Sequence, residues 1–86
     1  MPEVSRFYGI CICFYYREHP PQHFHAFYGE YEALVEIESG TIRQGHLPRK
    51  AYDMVNEWRL QHLQELSEDW ERARDGQPLL PIAPLE

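Results

Sequence analysis

The sequence predicts an α+β domain, an antiparallel sheet of about four strands in two hairpins followed by one long amphipathic helix and an extended proline-rich tail. Three observations carry this. Residues 31–38 alternate apolar and polar with a period of two, as a half-buried strand does. A two-residue Gly29-Glu30 break separates that run from a second strand-like run, His23 to Tyr28. Downstream, Ala51, Val55, Trp58, His62, Leu66, Trp70 and Ala73 recur at helical spacing, with Met54 and Leu63 widening the stripe.

Taken in order, the run from Phe7 to Tyr16 is apolar on both faces and reads as one central strand. Arg17-Glu18-His19-Pro20-Pro21-Gln22 follows, and its two prolines make it a turn or short extended loop. Gly29 in the first central position suits a type II′ turn, and this turn sets a register. Tyr28 then faces Tyr31, Ala26 faces Ala33 and Phe24 faces Val35 on the core side. His23, His25 and Phe27 lie opposite Glu36, Leu34 and Glu32 on the other side, which the alternation predicts to be the wet one.

Ser39-Gly40 reads as a second tight turn, pairing Ile37 with Ile42 and Glu36 with Arg43 in a weaker strand from Thr41 to about His46. Pro48 suits the first turn of the helix, and Gly76 with Pro78 stops it. The expected layout is a single domain over residues 1–86, with sheet at 1–47, helix at 48–75 and tail at 76–86. A helix of ~27 residues spans ~40 Å, longer than a small sheet needs. A kink near Ser67 or a distal end packed on a partner would accommodate it. The apolar tail reads as a strap across the body or across a second subunit.

Composition narrows the function. Eighty-six residues make one domain whose core is thin, and the 14% aromatic content compensates because each ring buries a large area. The net charge is −6, with five basic against six acidic residues over 1–50 and three against eight over 51–86. That balance disfavours non-specific nucleic-acid binding, which needs clustered Lys and Arg. No signal-like or long apolar run points to secretion or a membrane, and the reading is a cytoplasmic protein.

Cys11 and Cys13 sit on one strand face with Cα atoms ~6.6 Å apart, near the upper limit for a disulfide. They read as reduced, buried thiols. A Cys-x-Cys metal site ranks below that reading, because no second thiol pair exists.

His19-Pro20-Pro21-Gln22-His23-Phe24-His25 is the most informative cluster. Residues two apart on a strand share a face, so His23 and His25 present two imidazoles together. With His19 swinging over the proline turn and Glu36 across the hairpin, the set would suit a divalent transition metal such as zinc. An open coordination position would permit hydrolysis. The alternative is that Glu36 pairs with Arg43 and the histidines are exposed polar residues. Arg43, His46, Arg49 and Lys50 gather near the helix start and form a candidate anion site, set against solvated surface charge. No nucleophile motif or phosphate-binding glycine loop is present.

Several stretches resemble the prokaryotic family described as domain of unknown function 4160. They are residues 2–10, His19-Pro20-Pro21 with His23-Phe24-His25, Tyr28-Gly29-Glu30-Tyr31, Gly45-His46-Leu47-Pro48-Arg49 and the closing Ile82-Ala83-Pro84-Leu85. Gln22 stands as an insertion relative to that family's usual Pro-Pro-His-Phe-His. The resemblance implies a small protein often encoded beside another, in an arrangement like a toxin–antitoxin pair. The expected function is therefore an interaction component of such a pair, binding the neighbouring gene's product. Self-association through the long helix or tail is a further expectation. A metal-dependent hydrolase or nuclease using the histidine cluster is the second expectation, and a small nucleic-acid-binding regulator the third.

Overall fold

Strand order in the computed structural model, which describes residues 2–86, is β1-β2-β3-β4-β5, a five-stranded antiparallel meander. Met1, the first residue of the expected 1–86 domain, lies outside the described residues. The strands are β1 (Glu3–Phe7), β2 (Ile10–Cys13), β3 (His23–Tyr28), β4 (Tyr31–Glu36) and β5 (Ile42–Gly45).

The additional strand comes from a hairpin that the apolar run conceals. Phe7 pairs with Ile10, and Tyr8 and Gly9 between them have φ of 48° and 81°. Two consecutive positive φ angles define a primed two-residue turn, whose twist matches the flanking strands. The run Phe7–Tyr16 is thus not one strand. Its middle, Ile10–Cys13, does occupy an interior place between β1 and β3.

The β3–β4 register is the one the alternation predicts, from His23 opposite Glu36 to Tyr28 opposite Tyr31. Gly29 has φ of 57°, and Glu30 is not left-handed, as a type II′ turn requires.

The next hairpin differs from expectation. Ile37 is buried and stays in step with β3, its N–H donating to the Gln22 carbonyl at 3.0 Å, but it does not pair with β5. The connection therefore spans residues 37–40, closed by Glu36 N–H to Thr41 O and Gly40 N–H to Glu36 O, both 2.9 Å. Val35 rather than Ile37 faces Ile42, and Leu34 faces Gln44, with an irregularity between the two pairs.

The single expected helix is two, α1 (Arg49–Gln61) and α2 (Leu63–Arg74). They break at His62, with φ −133° and ψ 31°, not at Ser67. His62 N–H closes a tight turn on Arg59 O at 3.0 Å, and its Nδ1 lies 2.5 Å from Glu65 Oε1. One straight helix would outrun a molecule whose longest dimension is 33 Å, so the break folds the distal half back over the sheet.

The expected stripe still supplies the core, except that Leu63, expected to widen it, is 39% exposed. Ala51, Val55 and Trp58 are buried from α1, and Leu66, Trp70 and Ala73 from α2. They cover Ile10, Ile12, Phe24, Ala26, Ala33 and Val35. Trp58 is central, with ring centroids 5.4 Å from Phe7 and 5.9 Å from Phe24.

Two buried polar groups fasten this layer. Arg59 donates from Nη1 to the carbonyls of Ile37 (2.7 Å) and Glu38 (3.0 Å), stitching α1 to the end of β4. Asp69 Oδ1 accepts from Leu80 N–H at 2.9 Å and from Arg72 Nη1 at 3.0 Å. Beyond Gly76 the chain has no regular secondary structure. Ile82 N–H donates to Val4 O, Trp58 Nε1 donates to Ala83 O, each at 2.8 Å, and Ile82 and Leu85 are buried. Among the described residues no helix is long and apolar enough to cross a membrane.

Candidate metal centre

Alternation places Cys11, Cys13, His23, His25, Leu34 and Gln44 on the sheet face away from the main core, where Cys13 pairs with His25 and His25 with Leu34. This face is not wet throughout. Phe14 extends the β1–β2 pairing through its N–H to Pro2 O (3.1 Å) and is buried in the main core. Arg17 N–H donates to Ala73 O (3.3 Å) at the end of α2, and Tyr15, Glu18 and Pro21 of the β2–β3 connection reach the histidines. Tyr15 sets its ring edge-on to His25, centroids 4.4 Å apart, and Trp70 reaches His23 at 4.8 Å. His23 and His25 are consequently 6% and 7% exposed, which corrects the expectation of imidazoles standing in water.

The same connection delivers Glu18. Its Oε1 lies 3.0 Å from His23 Nε2 and 2.8 Å from His25 Nε2, and one donor atom from each residue falls within 4.8 Å of the others. Neither His19 nor Glu36 joins them. His19 is exposed on a cavity wall. Glu36, although opposite His23 in register, accepts from Ser39 Oγ at 3.0 Å and pairs with Arg43 Nη1 at 3.4 Å. The carboxylate that meets the imidazoles stands beside His19 in sequence, five and seven residues before the two histidines. Its one visible signal is an acid on a proline-containing loop feeding directly into the histidine strand.

Proton geometry makes this cluster unusual. His23 Nδ1 lies 2.8 Å from the Pro21 carbonyl, which only accepts, so Nδ1 carries a hydrogen. A neutral His23 then aims a bare Nε2 lone pair at a carboxylate oxygen. Two acceptors 3.0 Å apart repel, so a proton or a cation must lie between them. His25 Nδ1 is buried without a hydrogen-bond partner, and Glu32 Oε2 stands 3.6 Å away. Both imidazoles thus turn Nε2 towards one point and Nδ1 towards an oxygen. Metal-ligating histidines are oriented in this way.

Two cavities flank the cluster. One, about 390 Å³, is walled by Glu18, His19, Pro20, Pro21, His23, Leu34, Arg43 and Gln44. The other, about 220 Å³, is lined by His25, Glu32, Leu34, Gln44 and Gly45. They share Leu34 and Gln44, so the buried histidines border a trough across β4 and β5.

The four basic residues near the helix start do not converge. Arg43 lines the larger cavity, whereas His46 packs against Tyr31 (centroids 5.7 Å apart) and Arg49 lies 3.9 Å from Asp53. His46 and Arg49 border a separate depression of about 400 Å³ floored by Ile42, Leu47 and Tyr52, and Lys50 is exposed.

Cys11 and Cys13 are both free. Burial pushes the Cys11 thiol up to about 12, helped by Cys13 and Glu3, and burial raises Cys13 as well.

A family model with the description "Domain of unknown function (DUF4160)" matches residues 9–71, which include both histidines, Glu18 and most of the two helices. No curated protein and no solved structure matches the chain.

Proposed function

Since the chain belongs to the DUF4160 family, whose description names no activity, we propose from the geometry that it is a metal-dependent module centred on Glu18, His23 and His25. One carboxylate oxygen and two imidazole Nε2 atoms would hold a first-row divalent ion of the zinc class. The observation that carries this reading is the His23 geometry: Nδ1 is committed to Pro21 O while Nε2 faces an acceptor. A metal ion resolves that conflict and also gives His25 Nδ1 a hydrogen to donate towards Glu32. Three protein ligands leave a position for water, and a metal-bound water ionises near neutral pH, so the chemistry such a centre supplies is hydrolytic. The trough beside the cluster would admit the substrate, with Arg43 on its wall placed to meet a negatively charged group.

The test is elemental analysis of natively purified protein, together with thermal melts in zinc, manganese and nickel. Near-stoichiometric metal is expected. The metal should be lost in a His23→Ala, His25→Ala double variant and weakened at least tenfold in Glu18→Gln, which keeps the side-chain shape. Metal-free protein whose melting ignores all three ions would leave a proton, not a metal, between His23 and Glu18, and would end this reading.

A second reading is supported by Leu60 and Leu63, which are 57% and 39% exposed on either side of the helix break. Large apolar side chains at one corner suit a protein partner. The partner would be the small protein encoded by the neighbouring gene, in a toxin–antitoxin-like pair, with a second copy of this chain as the alternative. Co-expression should give one co-eluting complex that a Leu60→Asp, Leu63→Asp variant breaks. Independent elution of two proteins would remove it.

A further inference from the structure

On the same sheet face, but on β1 and β2, stands a second group of donors that the histidine centre does not use. Cys11 Sγ and Cys13 Sγ are 3.4 Å apart, turned towards each other rather than splayed. Glu3 Oε1 lies 3.3 Å from Cys11 Sγ. The carboxylate is held in place by Arg6, whose Nε and Nη2 reach Glu3 Oε2 and Oε1 at 3.1 and 2.8 Å.

We propose that Cys11, Cys13 and Glu3 form a second cation site, selective for a thiophilic divalent ion of the zinc group, that ties β1 to β2. The spacing is the first argument. Two metal–sulfur bonds of about 2.3 Å at a tetrahedral angle place the sulfurs about 3.8 Å apart, and sulfur with oxygen about 3.5 Å apart. The observed 3.4 and 3.3 Å need an opening of only a few tenths of an ångström, while the exposed Glu3 side chain has to turn about Cys11 towards Cys13 to bring all three donors onto one ion.

Donor type is the second argument, because two thiolates favour soft ions over magnesium or calcium. The third is charge. Binding a divalent ion releases both thiol protons to solvent, so the two sulfurs and the ion sum to zero, and Arg6 already offsets Glu3. Access is the fourth: Cys11 is part-exposed while Cys13 is fully buried, so an ion reaches the pair from the Cys11 side.

The experiment titrates reduced, full-length protein with Cd2+ and follows the thiolate-to-cadmium charge-transfer absorption, which imidazole and carboxylate ligands do not produce. A saturable band is expected at one equivalent per chain for this site. The band should persist in the His23→Ala, His25→Ala variant and disappear in Cys11→Ala. Glu3→Gln should weaken binding about tenfold. Cys11→Ala removes a part-exposed side chain, and its fold is checked by circular dichroism in the same titration. Absence of the band in the wild type, or its survival in folded Cys11→Ala, would overturn the proposal. Loss of the band in a folded histidine variant would do so too, since it would show that the thiolates bind cadmium only together with the histidines and form no separate site.

Discussion

The two faces of the sheet are built from alternate residues of the same strands and do different work. Towards the helices, Ile10, Ile12, Phe24, Ala26, Ala33 and Val35 are each 0–1% exposed beneath Trp58 and Trp70, and the layer is filled. On the other side, Cys11, Cys13, His23, His25, Leu34 and Gln44 lie beneath a loop that covers only part of them and leaves a trough. The lesson is one of separation. A period of two assigns stability to one set of positions and polar chemistry to its neighbours, so substitutions on each face should have distinct signatures.

The largest expected effect breaks the core side. Trp58→Ala should cost about 3–5 kcal/mol in urea denaturation, since it empties the centre of the packed layer and removes the bond to Ala83 O. A loss below about 1 kcal/mol would mean the layer is not the stabilising one. Next comes Arg59→Leu, which leaves the Ile37 and Glu38 carbonyls without their donor. A loss of about 2–3 kcal/mol is expected, with no change in metal content.

On the opposite face, Glu32→Gln should barely alter metal-free stability yet lower zinc affinity about tenfold, read by competition with a chromophoric chelator. Equal affinity would show that Glu32 does not orient His25.

A smaller effect concerns pH. The Cys11 thiol ionises at about 12 in the fold against 9.0 ordinarily, so the fold favours the neutral thiol. That contribution is fully present below pH 9 and is lost as pH rises towards 12. Urea midpoints should therefore fall across that window, and fall less in Cys11→Ala. Arg49→Ala should change stability by no more than about 0.5 kcal/mol, because its side chain is 92% exposed and its carboxylate partner stands 3.9 Å away.

How much of this was legible in the residues depends on where the determining force lies. The β3–β4 register could be read because two strands carried the same alternation independently and a glycine fixed the turn. The first hairpin was hidden because Tyr8 adopts a positive φ that its type rarely takes, leaving Gly9 as the sole mark inside an apolar run. The helix break was hidden for the opposite reason. His62 continues the apolar spacing, and only the shortness of the sheet requires a bend there.

Burial of the histidines was beyond local patterning, since it follows from Tyr15, Glu18 and Pro21 of the β2–β3 connection packing onto them. The same packing replaced the expected His19 and Glu36 with Glu18. Glu36 was drawn instead to Arg43, the pairing that had stood as the alternative to a metal ligand. The β4–β5 pairing differed because the turn closes on Glu36 and Thr41 rather than around Ser39-Gly40 alone, which sets Val35 and not Ile37 opposite Ile42.

The final residues also decide how the sheet can grow. Ile82 N–H takes the Val4 carbonyl on the border of β1 away from β2, and the neighbouring Pro81 and Pro84 have no N–H to offer an incoming chain. One margin is thereby closed to lateral pairing, and the other, Ile42–Gly45, is where a foreign strand would have to add. Arg43 and Gln44 belong both to that margin and to the wall of the trough. Recruiting a strand would engage the backbone of the same two residues whose side chains wall the trough, so each event would be felt by the other.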